Sequence, residues 1–133
     1  MVEFIWSKSM SVGVAELDAD HQKLIALLSE VNQSAEKSDG QGARETLLAL
    51  FHYVKEHFSR EERHMADIGF PGLVDHQALH DLLERDVVEA LEDTSFSNAP
   101  DLALSIHGFL IHWLTQHILH DDQAYARFSR PSL

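Results

Sequence analysis

Apolar residues recur every three or four positions along most of this chain, the period of an α-helix and not of a strand. Leu17, His21, Leu24, Leu28 and Val31 form one stripe, with Asp18 as its candidate N-cap, and predict a helix over 18–38. Leu47, Leu50, Val54, His57 and Glu61 predict a second over 42–67. The run Gly69-Phe70-Pro71-Gly72 should end it, because two glycines and a proline disfavour helical backbone. Leu73, His76, His80, Leu83, Val87 and Leu91 predict a third helix over 73–92. A turn-rich segment from Asp93 to Ala99 follows, and Asn98 or Pro100 can begin the next helix. Ile106, Phe109 or Leu110, Trp113 and His117 place that fourth helix over 99–120. Residues 1–17 lack the long period and read as an extended arm, with Phe4, Ile5, Trp6, Val12, Val14 and Leu17 laid against the helices. Residues 121–133 read as a tail with one or two further helical turns. No segment carries β-branched residues at period two. The expected fold is all-α, an up-down-up-down four-helix bundle with an extended N-terminal arm and a short C-terminal tail, in one domain over 1–133.

Composition narrows the function classes. At 133 residues the chain can bury a core without cross-links. It has no cysteine, which excludes disulfides, cysteine-held iron–sulfur clusters and cysteine zinc sites. A net charge of −12 argues against nucleic acid or an anionic membrane as partner. No basic segment leads into a long apolar run near Met1, and no apolar stretch is long enough to cross a bilayer. A cytoplasmic monomer is expected. What composition adds is an excess of histidine, ten in all.

Five of these, His21, His57, His76, His80 and His117, fall on the apolar stripes, together with Glu61, and each helix supplies at least one. A single such histidine is ordinarily a buried polar group satisfied by a hydrogen bond. Six polar groups from four helices are different, since each one left unsatisfied costs about 1–3 kcal/mol. His57 and Glu61, like His76 and His80, are four residues apart and so share a helix face. Metal ions are the common partner that would satisfy all of them. Five imidazoles with carboxylates exceed the needs of one tetrahedral zinc. They suit two metal ions bridged by carboxylates, and N and O donors favour iron. A second bridging carboxylate should follow His117, where Asp121 and Asp122 stand. Periodicity favours Asp121, four residues on. Asp122, five on, lies about 140° round a regular helix and reaches the site only if the helix ends or widens into a π turn between them.

In its motifs the chain resembles single-domain bacterial hemerythrins. Ser11-Val12-Gly13-Val14 leads to Asp20-His21-Gln22. His57-Phe58 with Glu61-Glu62 follows, then His76-x-x-x-His80, then Trp113-Leu114-x-x-His117-Ile118-x-x-x-Asp122. The resemblance spans nearly the whole chain and implies a non-haem di-iron centre. On it, His76, His80 and His117 bind one iron, His21 and His57 bind the other, and Glu61 and Asp122 bridge them with a solvent-derived oxygen. It selects Asp122 over Asp121. It also implies that O2 binds end-on at the iron with the open position, taking two electrons and a proton to become a hydroperoxide, and leaves when these return. Leu24, Leu27, Phe58, Trp113, Leu114 and Ile118 lie beside ligands and could line an apolar O2 pocket, though ordinary core packing would place them there too. Gln123 stands where relatives often carry a basic residue.

The resemblance gives the remaining histidines no ligand role. His52 and His107 read as surface residues. His64 and His120 lie about one turn beyond ligands and read as solvated helix-end residues, and His112 has no assigned part. The expected function is a reversible O2 carrier, store or delivery protein and not an enzyme, with an oxygen-accepting protein as a further partner. A sensor acting through a partner is one alternative. A di-iron enzyme handling peroxide, nitric oxide or iron–sulfur repair is the other. A histidine-rich donor set favours binding over oxidation, because oxygen donors are what stabilise high-valent iron.

Overall fold

The computed structural model describes residues 5–94 and 102–129 of the chain. Four helices form the bundle: α1 (Ala15–Glu36), α2 (Gly40–Asp67), α3 (Leu73–Thr94) and α4 (Leu102–Gln116). A π-helical segment, His117–Asp121, joins α4 to a final helix, α5 (Asp122–Ser129). No strand occurs among the described residues. Short turns after α1 and α2 fold the first three helices antiparallel. α2 packs against α1, α3 and α4, while α4 packs against α1 and touches α3.

α1 starts three residues earlier than its stripe suggests, and Asp18 is not its N-cap. Val14, in extended conformation, holds that position without a side-chain cap. The Asp18 carboxylate instead reaches back to the arm, accepting hydrogen bonds from Ser11 Oγ at 2.6 Å and Val12 N at 2.9 Å. Arm and helix are thereby fastened together. Val12 is buried, and Trp6 and Val14 pack on the core as expected, but Ile5 is 66% exposed. Phe4 lies outside the described residues. One 3-10 turn, Lys8–Met10, interrupts the arm.

α2 starts two residues before its expected position because Asp39 caps it, accepting from Gly42 N at 2.9 Å. A side chain at 42 would run into that carboxylate, which explains the glycine there. α2 ends where expected, and Gly69 (φ +69°) takes the left-handed conformation that lets Phe70 N bond Met65 O at 2.9 Å. The loop before α4, with its candidate starts Asn98 and Pro100, and the last four residues of the tail lie outside the described residues.

Two apolar clusters share the interior. The larger contains Leu24, Leu28, Leu47, Leu50, Val54, Phe58, Val87, Leu110 and Trp113 among others. The smaller, Val12, Leu17, Met65, Tyr125 and Ala126, is where the arm, the Gly69 turn and α5 meet. On every helix the polar stripe residues fall between the two. His52 is exposed as expected, but His107 is buried, at 5% exposure. It belongs with Ala103, Leu110 and Leu114 to a second inward stripe of α4, a helix apolar on most of its circumference. No described helix is long and apolar enough to cross a membrane.

Candidate metal centre

His21, His57, Glu61, His76, His80, His117 and Asp122 converge in one buried cage between the clusters, none more than 6% exposed. α1 supplies His21, α2 supplies His57 and Glu61 one turn apart, and α3 supplies His76 and His80 one turn apart. His117 and Asp122 begin and follow the π segment, in which Asp122 N bonds His117 O five residues back. The wider turn takes more residues per revolution and so removes most of the overshoot of about 140° that a regular helix would give, leaving Asp122 fully buried while Asp121 is half-buried outside the cage. Gln123 is buried and uses Nε2 to bond Ile118 O at 3.3 Å and Met10 O at 3.2 Å.

The two oxygens of Glu61 divide the imidazoles. Oε2 lies 3.2 Å from His21 Nε2 and 3.2 Å from His57 Nε2. Oε1 faces Nε2 of His80 at 2.9 Å, His117 at 3.5 Å and His76 at 3.7 Å. Asp122 groups them differently, with Oδ1 3.2 Å from His76 Nε2 and Oδ2 2.9 Å from His21 Nε2 and 3.2 Å from His117 Nε2, so His117 stands between the two sets. Donor atoms of His21, His57, Glu61, His117 and Asp122 lie within 4.8 Å of one another, as do those of His76, His80, His117 and Asp122.

These atoms meet without satisfying each other. Nε2 of His57, His76, His80 and His117, Oε1 of Glu61 and both carboxylate oxygens of Asp122 are buried without a hydrogen-bond partner. So many orphaned atoms aimed at one volume fit metal ligation. Without metal the charges lean on protons. Burial opposes the charged form of His21, but the carboxylates of Asp122 and Glu61 beside it outweigh burial and lift its pKa to about 10. The same balance lifts His76 to about 9, while for His57 the charge of Glu61 and the hydrogen bond to Asp20 outweigh burial and raise its pKa. Burial likewise opposes the charged Glu61, yet His57 and His117 hold its carboxyl well below the usual range.

The sequence profile of the hemerythrin HHE cation binding domain matches residues 12–128. The chain belongs to the hemerythrin family. The bacteriohemerythrin of Pseudomonas aeruginosa (strain PAO1) is 26% identical over all of this chain and 86% of its own length. That of Clostridium acetobutylicum is 26% identical over 92% of this chain and 98% of its own, and a hemerythrin-like protein of Naegleria gruberi is 29% identical over 92% and 90%. This hemerythrin is thus a non-haem iron-binding domain with its His/Glu/Asp cluster at the centre of the bundle.

Around the cage lie residues that the stripes did not reveal. Asp20 accepts from His57 Nδ1 at 2.9 Å, and Glu62 from His80 Nδ1 at 2.8 Å, so both rings present Nε2 inward. The Tyr125 hydroxyl donates to Glu61 Oε2 at 2.9 Å. Its phenol is pushed far up by burial and by the charges of Asp122 and Glu61, so it stays a donor. Its spacing, three residues after Asp122, was the available signal. Phe58 stacks on His80 with centroids 3.7 Å apart, and Trp113 on His117 at 5.7 Å, so the aromatic residues expected near O2 flank donors of the three-imidazole group. Leu24, Leu27, Leu114 and Ile118 are buried in the same apolar cluster as these rings. Of the histidines without a ligand role, His64 is half-buried with its ring edge to Tyr125, and His112 and His120 are exposed.

Proposed function

We propose that this hemerythrin carries two iron ions and binds O2 reversibly, as a carrier or store in the cytoplasm that supplies an oxygen-accepting protein. The observation that carries the reading is the division of five imidazoles into three and two by the oxygens of Glu61. In this assignment His76, His80 and His117 would hold one ion, His21 and His57 would hold the other, and Glu61 and Asp122 would serve both. The group short of one imidazole keeps a position for a ligand. Iron bound there in the ferrous state would supply the two electrons that O2 takes up on binding and returns on release.

The chain's own residues supply the setting. Leu24, Leu27, Phe58, Trp113, Leu114 and Ile118, each 6% exposed or less, exclude water and its protons from the cage. Tyr125 holds one bridging carboxylate in place through its hydroxyl. Five imidazoles against two carboxylates suit reversible binding better than oxidation of a substrate.

The test is to count iron, mix the ferrous protein anaerobically with O2 in a stopped-flow instrument, and then remove the gas. About two iron per chain and a spectrum that forms and reverses support the reading. One metal per chain, or irreversible oxidation, overturns it. Ile118→Ser should hasten the decay of the oxygenated form to the ferric one. A tenfold change corresponds to about 1.4 kcal/mol of barrier, so even a modest opening of the wall is measurable.

A further inference from the structure

Asp20 is a buried carboxylate that accepts four hydrogen bonds. They come from His57 Nδ1 at 2.9 Å, Tyr53 Oη at 2.7 Å, Arg60 Nε at 2.8 Å and Arg60 Nη2 at 2.7 Å. Tyr53, His57 and Arg60 are spaced four and three apart on α2, so one helix face presents every donor to one residue of α1. The Arg60 guanidinium forks across both Asp20 oxygens and lies 5.7 Å from the Tyr53 ring centroid. Its other acidic neighbour, Glu16, is 3.8 Å away and 71% exposed.

The other donor group has a different arrangement. Glu62 stands behind His80 at 2.8 Å with its side chain 28% exposed, and among the described residues no lysine or arginine pairs with it. Each donor group therefore has one imidazole backed by a carboxylate, but only the carboxylate behind His57 is neutralised.

A carboxylate accepting the Nδ1 proton of a ligating imidazole makes the opposite nitrogen a stronger donor. Other donors on that carboxylate occupy its lone pairs and draw off its charge, which weakens the pull. We infer that Arg60 and Tyr53, acting through Asp20, restrain the electron donation of His57 to its metal, while Glu62 leaves His80 unrestrained. The two-imidazole position is thereby kept the more electron-poor of the two and resists outright oxidation. Arg60, Tyr53 and Asp20 are positioning residues and touch neither metal nor gas. The inference rests on the two-iron assignment above.

Spectroelectrochemical titration of the iron-loaded protein without O2 tests it, after iron has been counted. Arg60→Gln should keep two iron per chain and raise the ratio of ferric to ferrous protein at fixed ambient potential about tenfold, or about 59 mV for a one-electron couple. Arg60→Lys, which keeps the charge but loses the fork, should fall between it and the wild type. Glu62→Gln should shift the ratio the opposite way. An unchanged ratio in fully loaded Arg60→Gln overturns the inference and leaves the two-iron assignment standing. Fewer than two iron in the wild type defeats that assignment before any variant is compared. Should Arg60→Gln lose iron, Tyr53→Phe removes a single hydrogen bond instead. A smaller shift of the same sign then supports the inference, and none overturns it.

Discussion

Asp121 and Asp122 carry the same side chain at adjacent positions, and the backbone sorts them. Because Asp122 N bonds His117 O five residues back, Asp122 turns into the cage and Asp121 stays outside it. Asp122→Ala should therefore cut metal content and, on the proposed two-iron assignment, abolish the spectrum of the pair, while Asp121→Ala leaves both near wild type. The reverse result would show that the helix winds regularly after His117. The cage residues on α1, α2 and α3 were legible because inward polar groups share the stripe with the core residues. Asp20, Tyr53 and Arg60 were not, since they act sideways between α1 and α2, off the stripe that periodicity detects. His107 was misread for another reason: on a helix as apolar as α4, one stripe does not stand out from its neighbours.

Helix type and order could be read from the 3.6 period, but the ends follow chemistry that the period does not contain. The early start of α1 depends on a bare Val14 cap and on Asp18 serving the arm instead. The π segment is equally silent in composition, because nothing in His-Ile-Leu-His-Asp forbids a regular turn; family resemblance selected Asp122, and helical spacing did not. The α1–α2 turn offers a direct test. Ser38 sits at φ 54°, the left-handed conformation in which a Cβ is strained, while Asp39 N bonds Ser34 O across it at 2.7 Å. Ser38→Gly should stabilise the protein by about 0.5–1 kcal/mol, the relief of strain less the added freedom of the unfolded chain. Denaturant melting checks this, with Ser38→Ala expected to bring no gain.

Across the whole molecule, a polar cage separates two apolar clusters, so metal and fold are coupled. The metal-free protein should melt below the loaded one and should depend on pH in a definite sense. His21 and His76 have folded pKa values near 10 and 9, above the usual 6.5. A raised pKa gives stability that is fully present below about 6.5 and lost as pH rises through the folded value. Apo protein should therefore lose stability between about pH 7 and 10 in thermal melts. Metal loading should show the opposite preference, weakening toward acid as protons compete for the same nitrogens. The smaller cluster gives the bundle one end made of three separate pieces, with Gln123 tying α5 to the arm through Met10 O. Gln123→Ala should speed both amide exchange in α5 and removal of iron by a chelator, without changing the colour of the loaded protein. How long an ion resides in the protein would then follow how often that end frays, so that two hemerythrins with the same ligands could exchange metal at very different rates.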